Sequence, residues 1–406
     1  MGFLKNRQLE QDEAWYSAPL GYAVCPECVA DAALRDFVAA NVDSTECSFC
    51  ERSSESQIAA DTDTVLTYMS DCLKREWSRA IDEYLHDAES STGYAGTCYG
   101  IEEVLEGEAL IFANEDAERF VYEAFGETQW APRDFAAVNP GEALRFGWAD
   151  LVQTVKHDQR FFFLLNEEQR DEGPGVPIRH GRAMLEQLGE LIQRYGLVRE
   201  LGKGALIYRC RPHKAQERPQ TAEELGAPPP EKASQSRMSP AGIAMLYAAD
   251  EASTALAETI AYRRADQTSA TVATFELRTA CRIADLTQLP PVPSIFDPAE
   301  ETTELRHELG FLHGFRRDVS GPVDHDGREH IDYVPTQVVA EYLRVAFRDE
   351  DGESIKGVAW ESSKLPGTRN VVLFADARAC VDAGGRADDF VEPLVELVGI
   401  ELQELD

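Results

Sequence analysis

Four cysteines near the N-terminus occur as two closely spaced pairs. Two residues separate Cys25 from Cys28, two separate Cys47 from Cys50, and eighteen residues lie between the pairs. Two such pairs can place four thiolates at the corners of a tetrahedron, the arrangement that Zn²⁺ adopts in structural sites. The spacing therefore predicts a zinc knuckle with one structural Zn²⁺. Four buried cysteines or two disulfides are the alternatives.

A second group of residues with chemical potential lies in the C-terminal half. The segment RMSPAGIAMLYAADEASTALAE begins at Arg237 and ends at Glu258. It reads as a turn, a short apolar strand and a helix of small residues, which can bring one carboxylate close to a sheet. An acidic residue in a helix usually lies on a solvated face, so Glu258 gains significance only if other motifs join it.

The overall charge narrows the choice of partners. The chain has 39 basic and 73 acidic residues among 406, a net charge of −34. Such a surface repels phosphate backbones and disfavours a general nucleic-acid-binding role. No apolar run is long enough for a membrane span, and the N-terminus has no secretory apolar core. We therefore expect a cytoplasmic protein with no membrane segment.

The pattern of apolar residues divides the chain into regions. We predict a zinc-knuckle region over 1–55, a helical domain over 56–170, a linker and connecting helix over 171–199, a domain of mixed strands and helices over 200–380, and an acidic segment over 381–406. The fold class expected is α+β.

Individual elements follow from hydrophobic periodicity. Helices are predicted over Ser53–Ser90, Asn114–Phe125, Ala149–His157, Arg182–Tyr195, Glu251–Arg264, Ala299–His313 and Pro335–Phe347, with a polar linker over Asn166–Gly181. Strands are predicted at GALIYRCR, GIAMLYAA, TVATFELR, CRIADL, GVAWES and NVVLFAD.

Four motifs in order carry a resemblance to a known family. They are Tyr208-Arg209 at a strand end, the segment that ends at Glu258, YVPTQVVAEYLR, and GVAWESSKLPGTRNVVLF. Together they resemble the RES domain family, over roughly residues 200–380. The family is named for an arginine, a glutamate and a serine, which fall here on Arg209, Glu258 and Ser362, with Ser363 as the alternative serine. The N-terminal half resembles the HEPN/RES N-terminal domain.

The resemblance implies a fold similar to ADP-ribosyltransferase toxins and cleavage of NAD⁺ between nicotinamide and ribose. The acceptor in the family is phosphate, water or a protein side chain. Inorganic phosphate is thus an expected co-substrate, and ADP-ribosyl transfer to a protein is an alternative. The resemblance also implies a toxin or immune-type effector, an antitoxin or regulatory protein as partner, and a homo-oligomer as one assembly.

The resemblance also suggests a role for each site residue. Glu258 would stabilise an oxocarbenium-like ribose. Arg209 and Arg237 would bind the diphosphate, because a guanidinium donates two parallel hydrogen bonds to phosphate oxygens. Tyr208 belongs to the substrate-binding set, and Tyr247 would stack on nicotinamide. Ser362 would donate a hydrogen bond to a phosphate.

Two other classes of function remain as alternatives. Arg79 and His86 have the spacing of a HEPN-type ribonuclease pair and would lie two turns apart on one helix face. A non-catalytic sensor module, with a zinc-helical half that binds a partner, is the other alternative.

Overall fold

The structure is a computed structural model that describes residues 11, 13–87, 92–106, 110–126, 128–133, 138–165, 175–299, 301–321, 327–385 and 392–405. Contacts divide the chain into two compact units. The N-terminal unit comprises Met1–Gly141, Glu172–Pro177 and Pro291–Leu309, and the sheet unit comprises Glu142–Asp171, Ile178–Pro290 and Gly310–Asp406. The domain boundaries predicted from the sequence stay predictions, and most of the predicted linker lies outside the described residues.

The N-terminal unit is mainly helical. Its helices are α1 (Ala32–Ala40), α2 (Thr62–Leu73), α3 (Ala80–Glu83), α4 (Ile101–Leu105) and α5 (Glu115–Phe125). Two short antiparallel pairs accompany them, β1 (Ala23–Val24) with β2 (Ala60–Asp61) and β3 (Trp77–Arg79) with β4 (Trp130–Pro132). Asp31, Asp61 and Asn114 cap α1, α2 and α5, because their side chains accept hydrogen bonds from first-turn N–H groups.

The long helix predicted over Ser53–Ser90 is wrong in its extent. Helix α2 ends at Leu73, and Trp77–Arg79 pairs instead with β4. The apolar residues farther along do not continue a buried face, since Ile81 and Leu85 are 65% and 83% exposed. The helical spacing of apolar residues therefore continues in the sequence beyond the end of the helix that buries them.

A segment distant in sequence completes the N-terminal unit. Phe296 is fully buried in its core, and the Tyr68 hydroxyl donates to the Phe296 carbonyl over 2.6 Å. Arg306 forms an ion pair with Glu76 at 2.9 Å, with both side chains mostly buried. The segment Pro291–Leu309 thus contributes to this core.

The sheet unit is built on one nine-stranded sheet in the order β12-β13-β8-β6-β7-β11-β10-β9-β5. Its strands are β5 (Val198–Leu201), β6 (Leu206–His213), β7 (Leu246–Ala249), β8 (Ser269–Leu277), β9 (Cys281–Asp285), β10 (Gly357–Glu361), β11 (Arg369–Leu373), β12 (Cys380–Asp382) and β13 (Val395–Glu404). The β9–β10 and β12–β13 pairs are parallel and the others are antiparallel.

The other helices are α6 (Pro140–Gln153), α7 (Gly181–Arg194), α8 (Ala222–Leu225), α9 (Ala252–Ile260), α10 (Thr302–Ser320), α11 (Glu329–Asp332) and α12 (Val334–Val345). None of the described helices is long and apolar enough to span a bilayer. Helices and a mixed sheet together confirm the α+β class. The strand β13 was not predicted, because a register shift between Leu397 and Gly399 interrupts its alternation of apolar and polar residues.

Candidate functional site

The sheet unit contains a cleft of about 560 Å³, a volume typical of small-molecule sites. Strands β6, β7, β10 and β11, helices α9, α10 and α11 and the loop before β7 all contribute to its walls. The sequence-predicted residues that line it are Tyr208, Arg209, Arg237, Tyr247, Glu258 and the alternative serine Ser363. Long-range strand pairing has therefore brought three separate motifs to one cavity.

Glu258 is the one acidic residue of helix α9, and residues of β11 and of the loop after β10 fix its carboxylate. Its Oε1 accepts a hydrogen bond of 2.6 Å from the Ser362 hydroxyl and one of 2.9 Å from Nδ2 of Asn370. Its other oxygen, Oε2, receives no hydrogen bond from any residue in the described ranges. The hydrogen bonds to Oε1 thus fix the orientation of the carboxylate and leave Oε2 available to a ligand.

Ser362 is 3% exposed, and its hydroxyl both donates and accepts hydrogen bonds. Its O–H donates to Glu258, while its oxygen accepts from the backbone N–H groups of Lys364 and Leu365 at 3.2 and 3.1 Å. A hydroxyl has one donor hydrogen, so Ser362 in this arrangement cannot also donate to a phosphate. In this arrangement Ser362 holds Glu258, and the phosphate-donor role suggested by the sequence stays a prediction. Ser363 is exposed at the cleft.

Asn370 was missed in the sequence. Asn370 is the first residue of the predicted strand NVVLFAD and is 8% exposed. It lies opposite Trp360 of β10 and Ala249 of β7. A polar amide directly before the apolar run Val371–Leu373 of a central strand is the signal that could have identified it, because such a group needs a buried partner. The partner is Glu258.

Arg209 lies in the middle of β6 and is partly buried. Its Nη1 donates to the Tyr247 carbonyl over 2.8 Å, and no carboxylate in the described part of the chain forms an ion pair with it. Burial lowers the pKa of the guanidinium. A partly desolvated cation with unused donors, facing a cleft, is suited to binding an anion.

Arg237 follows the long loop after β6, whose last residues line the cleft. Its Nη1 and Nη2 donate to the carbonyls of Val319 and Gly321 over 2.7 and 2.6 Å, and its guanidinium lies 5.6 Å from the Tyr333 ring. The cation therefore caps the C-terminus of α10, where the helix dipole favours positive charge. Two of its donor groups are engaged there, so its role is at least partly structural.

Tyr247 and the motif YVPTQ fix the turn before β7. The Tyr247 hydroxyl accepts from the Met238 N–H at 3.1 Å and lies 2.9 Å from the Ser239 hydroxyl. From α12, Thr336 donates to the Arg237 carbonyl and Gln337 donates to the Ser236 carbonyl. This turn is therefore a rigid wall of the cleft, with the Tyr247 ring held by its hydroxyl end.

Two further polar residues line the cleft. Tyr208 is partly buried on β6, opposite Thr274 of β8. Ser320, at the end of α10, was missed from the sequence. Its Oγ is buried and has no hydrogen-bond partner among the described residues. A buried hydroxyl without a partner at a cleft wall is a candidate contact for a bound ligand.

The four N-terminal cysteines converge in the N-terminal unit. The Sγ atoms of Cys25, Cys28, Cys47 and Cys50 all lie within 4.8 Å of one another, with Cys25–Cys28, Cys25–Cys50 and Cys28–Cys47 distances of 3.7, 3.5 and 3.8 Å. A tetrahedral Zn²⁺ with bonds of about 2.3 Å requires sulfurs about 3.8 Å apart. The cluster fits one tetrahedral metal ion.

Backbone amides add to this fit. Burial raises the pKa of the Cys25 thiol to about 12. At Cys47 burial acts in the same direction, but the N–H groups of Phe49, Cys50 and Cys25 outweigh it and lower the pKa to about 7. N–H groups directed at a sulfur stabilise thiolate, the form that binds metal.

The arrangement expected for a ribonuclease pair is not present. Helix α3 covers only Ala80–Glu83, so Arg79 and His86 do not share one helix face. Arg79 instead forms an ion pair with Asp82 at 2.8 Å. The separation of two helical turns that the sequence suggested is therefore wrong.

Two family models match the chain. Residues 40–169 match HEPN/RES N-terminal domain 1, and residues 206–390 match the RES domain. Neither a curated protein nor a solved structure matches. The chain thus carries a RES domain preceded by a HEPN/RES N-terminal domain, as the motifs indicated, and the cleft lies within the matched RES domain.

Proposed function

We propose that this RES-domain chain cleaves NAD⁺ at the bond between nicotinamide and ribose. The observation that carries the proposal is the carboxylate of Glu258, held at one oxygen and unpaired at the other, in a cleft that also presents Arg209. The RES domain is consistent with an NAD⁺-related toxin function.

The carboxylate suits the bond-breaking step. When the glycosidic C–N bond breaks, its electron pair leaves with nicotinamide, which becomes neutral, and positive charge develops on the ribose ring. A fixed carboxylate beside the ring stabilises that charge without reorganising during the reaction. An oxygen of water or phosphate then bonds to the ribose carbon, and water releases a proton to solvent.

The diphosphate of NAD⁺ requires a cation in a chain whose net charge is −34. Arg209 is the better candidate, because Arg237 already donates to two backbone carbonyls. Arg237 would add its positive charge to the same cleft, since it lines the cavity with Glu258. Tyr247 and Tyr208 would contact the nicotinamide end or the ribose.

We also infer that the four-cysteine cluster holds Zn²⁺ in a structural role. Cys25, Cys28, Cys47 and Cys50 would supply four thiolates and close the coordination sphere, which leaves no position for catalysis. The metal would stabilise the N-terminal unit.

An enzyme that consumes NAD⁺ endangers the cell that makes it. We therefore propose that the chain acts as a toxin or immune-type effector in the cytoplasm and that a separate antitoxin or regulatory protein restrains it. The N-terminal unit is the natural place for such control, because it contains none of the cleft residues.

The test is incubation of the purified full chain with NAD⁺, with and without inorganic phosphate, followed by identification of products. Nicotinamide with a phosphorylated ADP-ribose indicates phosphorolysis, and nicotinamide with free ADP-ribose indicates hydrolysis. ADP-ribose attached to protein would instead indicate a transferase. The Glu258→Gln variant should lose the activity and Glu251→Gln, at the exposed N-cap position of the same helix, should keep it. No nicotinamide release by the wild type would overturn the proposal.

A further inference from the structure

We infer that Asn370 is a positioning residue that binds Oε1 of Glu258 together with Ser362, so that Oε2 is the oxygen that acts on the substrate. The inference rests on the proposed function for its kinetic consequence. Its geometric content is independent of the reaction: one acceptor oxygen is shared by a donor from β11 and a donor from the loop after β10.

Two donors on one oxygen fix the carboxylate plane. The hydroxyl of Ser362 and the amide of Asn370 approach Oε1 over 2.6 and 2.9 Å, and both side chains are buried. A carboxylate oxygen with two short charge-assisted bonds cannot rotate without losing both. The lone pairs of Oε2 are therefore the ones left to interact with a ligand in the cleft.

Asn370 is itself held firmly. Its neighbour Arg369 donates from Nε to Asp250 over 3.0 Å and from Nη1 to the buried Asp285 over 2.9 Å. These ion pairs join the ends of β7, β9 and β11 next to Asn370. The amide thus projects from a backbone fixed on both sides, which is the support that a precise donor needs.

An asparagine suits this position because it donates without carrying charge. Aspartate has the same shape but no N–H donor, and it would place a second carboxylate against Glu258. Alanine would leave Oε1 with one donor and would free the carboxylate to turn. The residue type therefore matters more than its volume.

A double-mutant cycle tests the inference in the full chain. Asn370→Ala should lower kcat for NAD⁺ cleavage about 10–100-fold, the range for a hydrogen bond to a charged group, with KM changed by about twofold or less. In the Glu258→Gln background the same substitution should change kcat by only about twofold, because the carboxylate is already absent. An equal loss in both backgrounds would mean that Asn370 supports only the sheet, and the inference would fail.

The contact can also be tested without activity. Asn370→Asp should lower the unfolding temperature by about 3 °C or more through repulsion, and adding Glu258→Gln should restore most of the loss, because a neutral amide would again face a carboxylate. This exchanged pair should stay inactive. Independent effects on Tm would overturn the inference. If the pair couples in Tm but the wild type does not cleave NAD⁺, the contact stands and the proposed function fails.

Asn41→Ala is a matched control for both measurements. Asn41 is exposed and lies in the N-terminal unit, and its side-chain amide donates to the Phe37 carbonyl. Its loss should leave kcat unchanged and should not couple to Glu258→Gln in Tm.

Discussion

The hydroxyl of Ser362 donates to Oε1 of Glu258 over 2.6 Å while its oxygen accepts from two backbone N–H groups. The serine at the end of β10 and the glutamate of α9 therefore act as one group. The sequence places them 104 residues apart, and only the pairing of β7, β11 and β10 brings them together.

Replacing Ser362 tests this relationship. We expect Ser362→Ala to lower kcat about 10–100-fold, because Glu258 loses a charge-assisted donor and the N–H groups of Lys364 and Leu365 lose their acceptor. Ser363→Ala should cost less, since that hydroxyl does not contact Glu258. Steady-state nicotinamide release from both variants measures the difference. A larger loss at Ser363 would contradict the assignment.

Replacing Glu258 tests the central carboxylate. Glu258→Gln keeps the shape and removes the charge, so we expect a loss of about 10²–10⁴-fold in kcat with an unchanged Tm to within a few degrees. Initial rates of nicotinamide release and a thermal melt are the measurements. Full activity in this variant would show that the carboxylate does not stabilise the developing charge.

Arg209 should act mainly in binding. Arg209→Ala removes a cleft-facing guanidinium, so the KM for NAD⁺ should rise about 10–100-fold, the equivalent of one charged hydrogen bond. Arg211, two residues along the same strand, lies outside the described cleft and donates to the Glu224 carbonyl. Arg211→Ala is therefore the matched control. Equal effects of the two variants on KM would mean that the arginines act only through overall charge.

The cysteine cluster should bind one Zn²⁺ per chain, measurable by elemental analysis of protein purified without chelators. Protons compete with the metal for thiolates, and burial holds the pKa of Cys25 at about 12 in the metal-free chain. Metal affinity should therefore fall as the pH falls, with protons released on binding. The Cys25→Ser variant should lose the metal and have a lower Tm. The Cys98→Ser variant, changed outside the cluster, should keep the metal and the wild-type Tm. NAD⁺ cleavage should survive in part.

Glu76 should make stability depend on pH. Burial of the Glu76 carboxyl disfavours its ionised form and raises its pKa. The hydrogen bonds and positive charges of His307 and Arg306 have the larger effect, so the pKa is lowered from its ordinary value of 4.5. Ionised Glu76 contributes fully to the free energy of unfolding above about pH 4.5. This contribution is lost as the pH falls through the lower pKa of the folded state. Glu76→Gln should reduce the free energy of unfolding at pH 7 by about 3 kcal/mol, less at pH 3. Denaturant titrations at both pH values, with the exposed Glu55→Gln as control, measure this.

Local sequence patterns were sufficient to predict the cysteine cluster and two residues of the cleft. The spacing of Cys25, Cys28, Cys47 and Cys50 predicted a cluster because two short turns alone bring each pair together. The motif order predicted that Arg209 and Glu258 share a site, and both line the same cleft.

The remaining features depend on contacts between distant residues. The role of Ser362 follows from the loop that supplies the N–H groups of Lys364 and Leu365, and no spacing rule encodes that loop. Asn370 was missed because strand alternation gives the face of a residue but not its partner. Arg237 was expected to bind phosphate, yet the end of α10 takes two of its donors, a contact across 82 residues.

The segment Pro291–Leu309 sets the order in which the N-terminal unit can be completed during synthesis. Tyr68 and Glu76 can form their contacts with Phe296 and Arg306 only after those partners, 228 and 230 residues farther along the chain, have been synthesised. The apolar surface that will surround Phe296 therefore stays open while β5 to β9 are being translated. A nascent chain with such an open apolar surface is prone to aggregation. Any fragment that stops before Pro291, however well it follows the family boundary, would carry the same unfilled surface permanently.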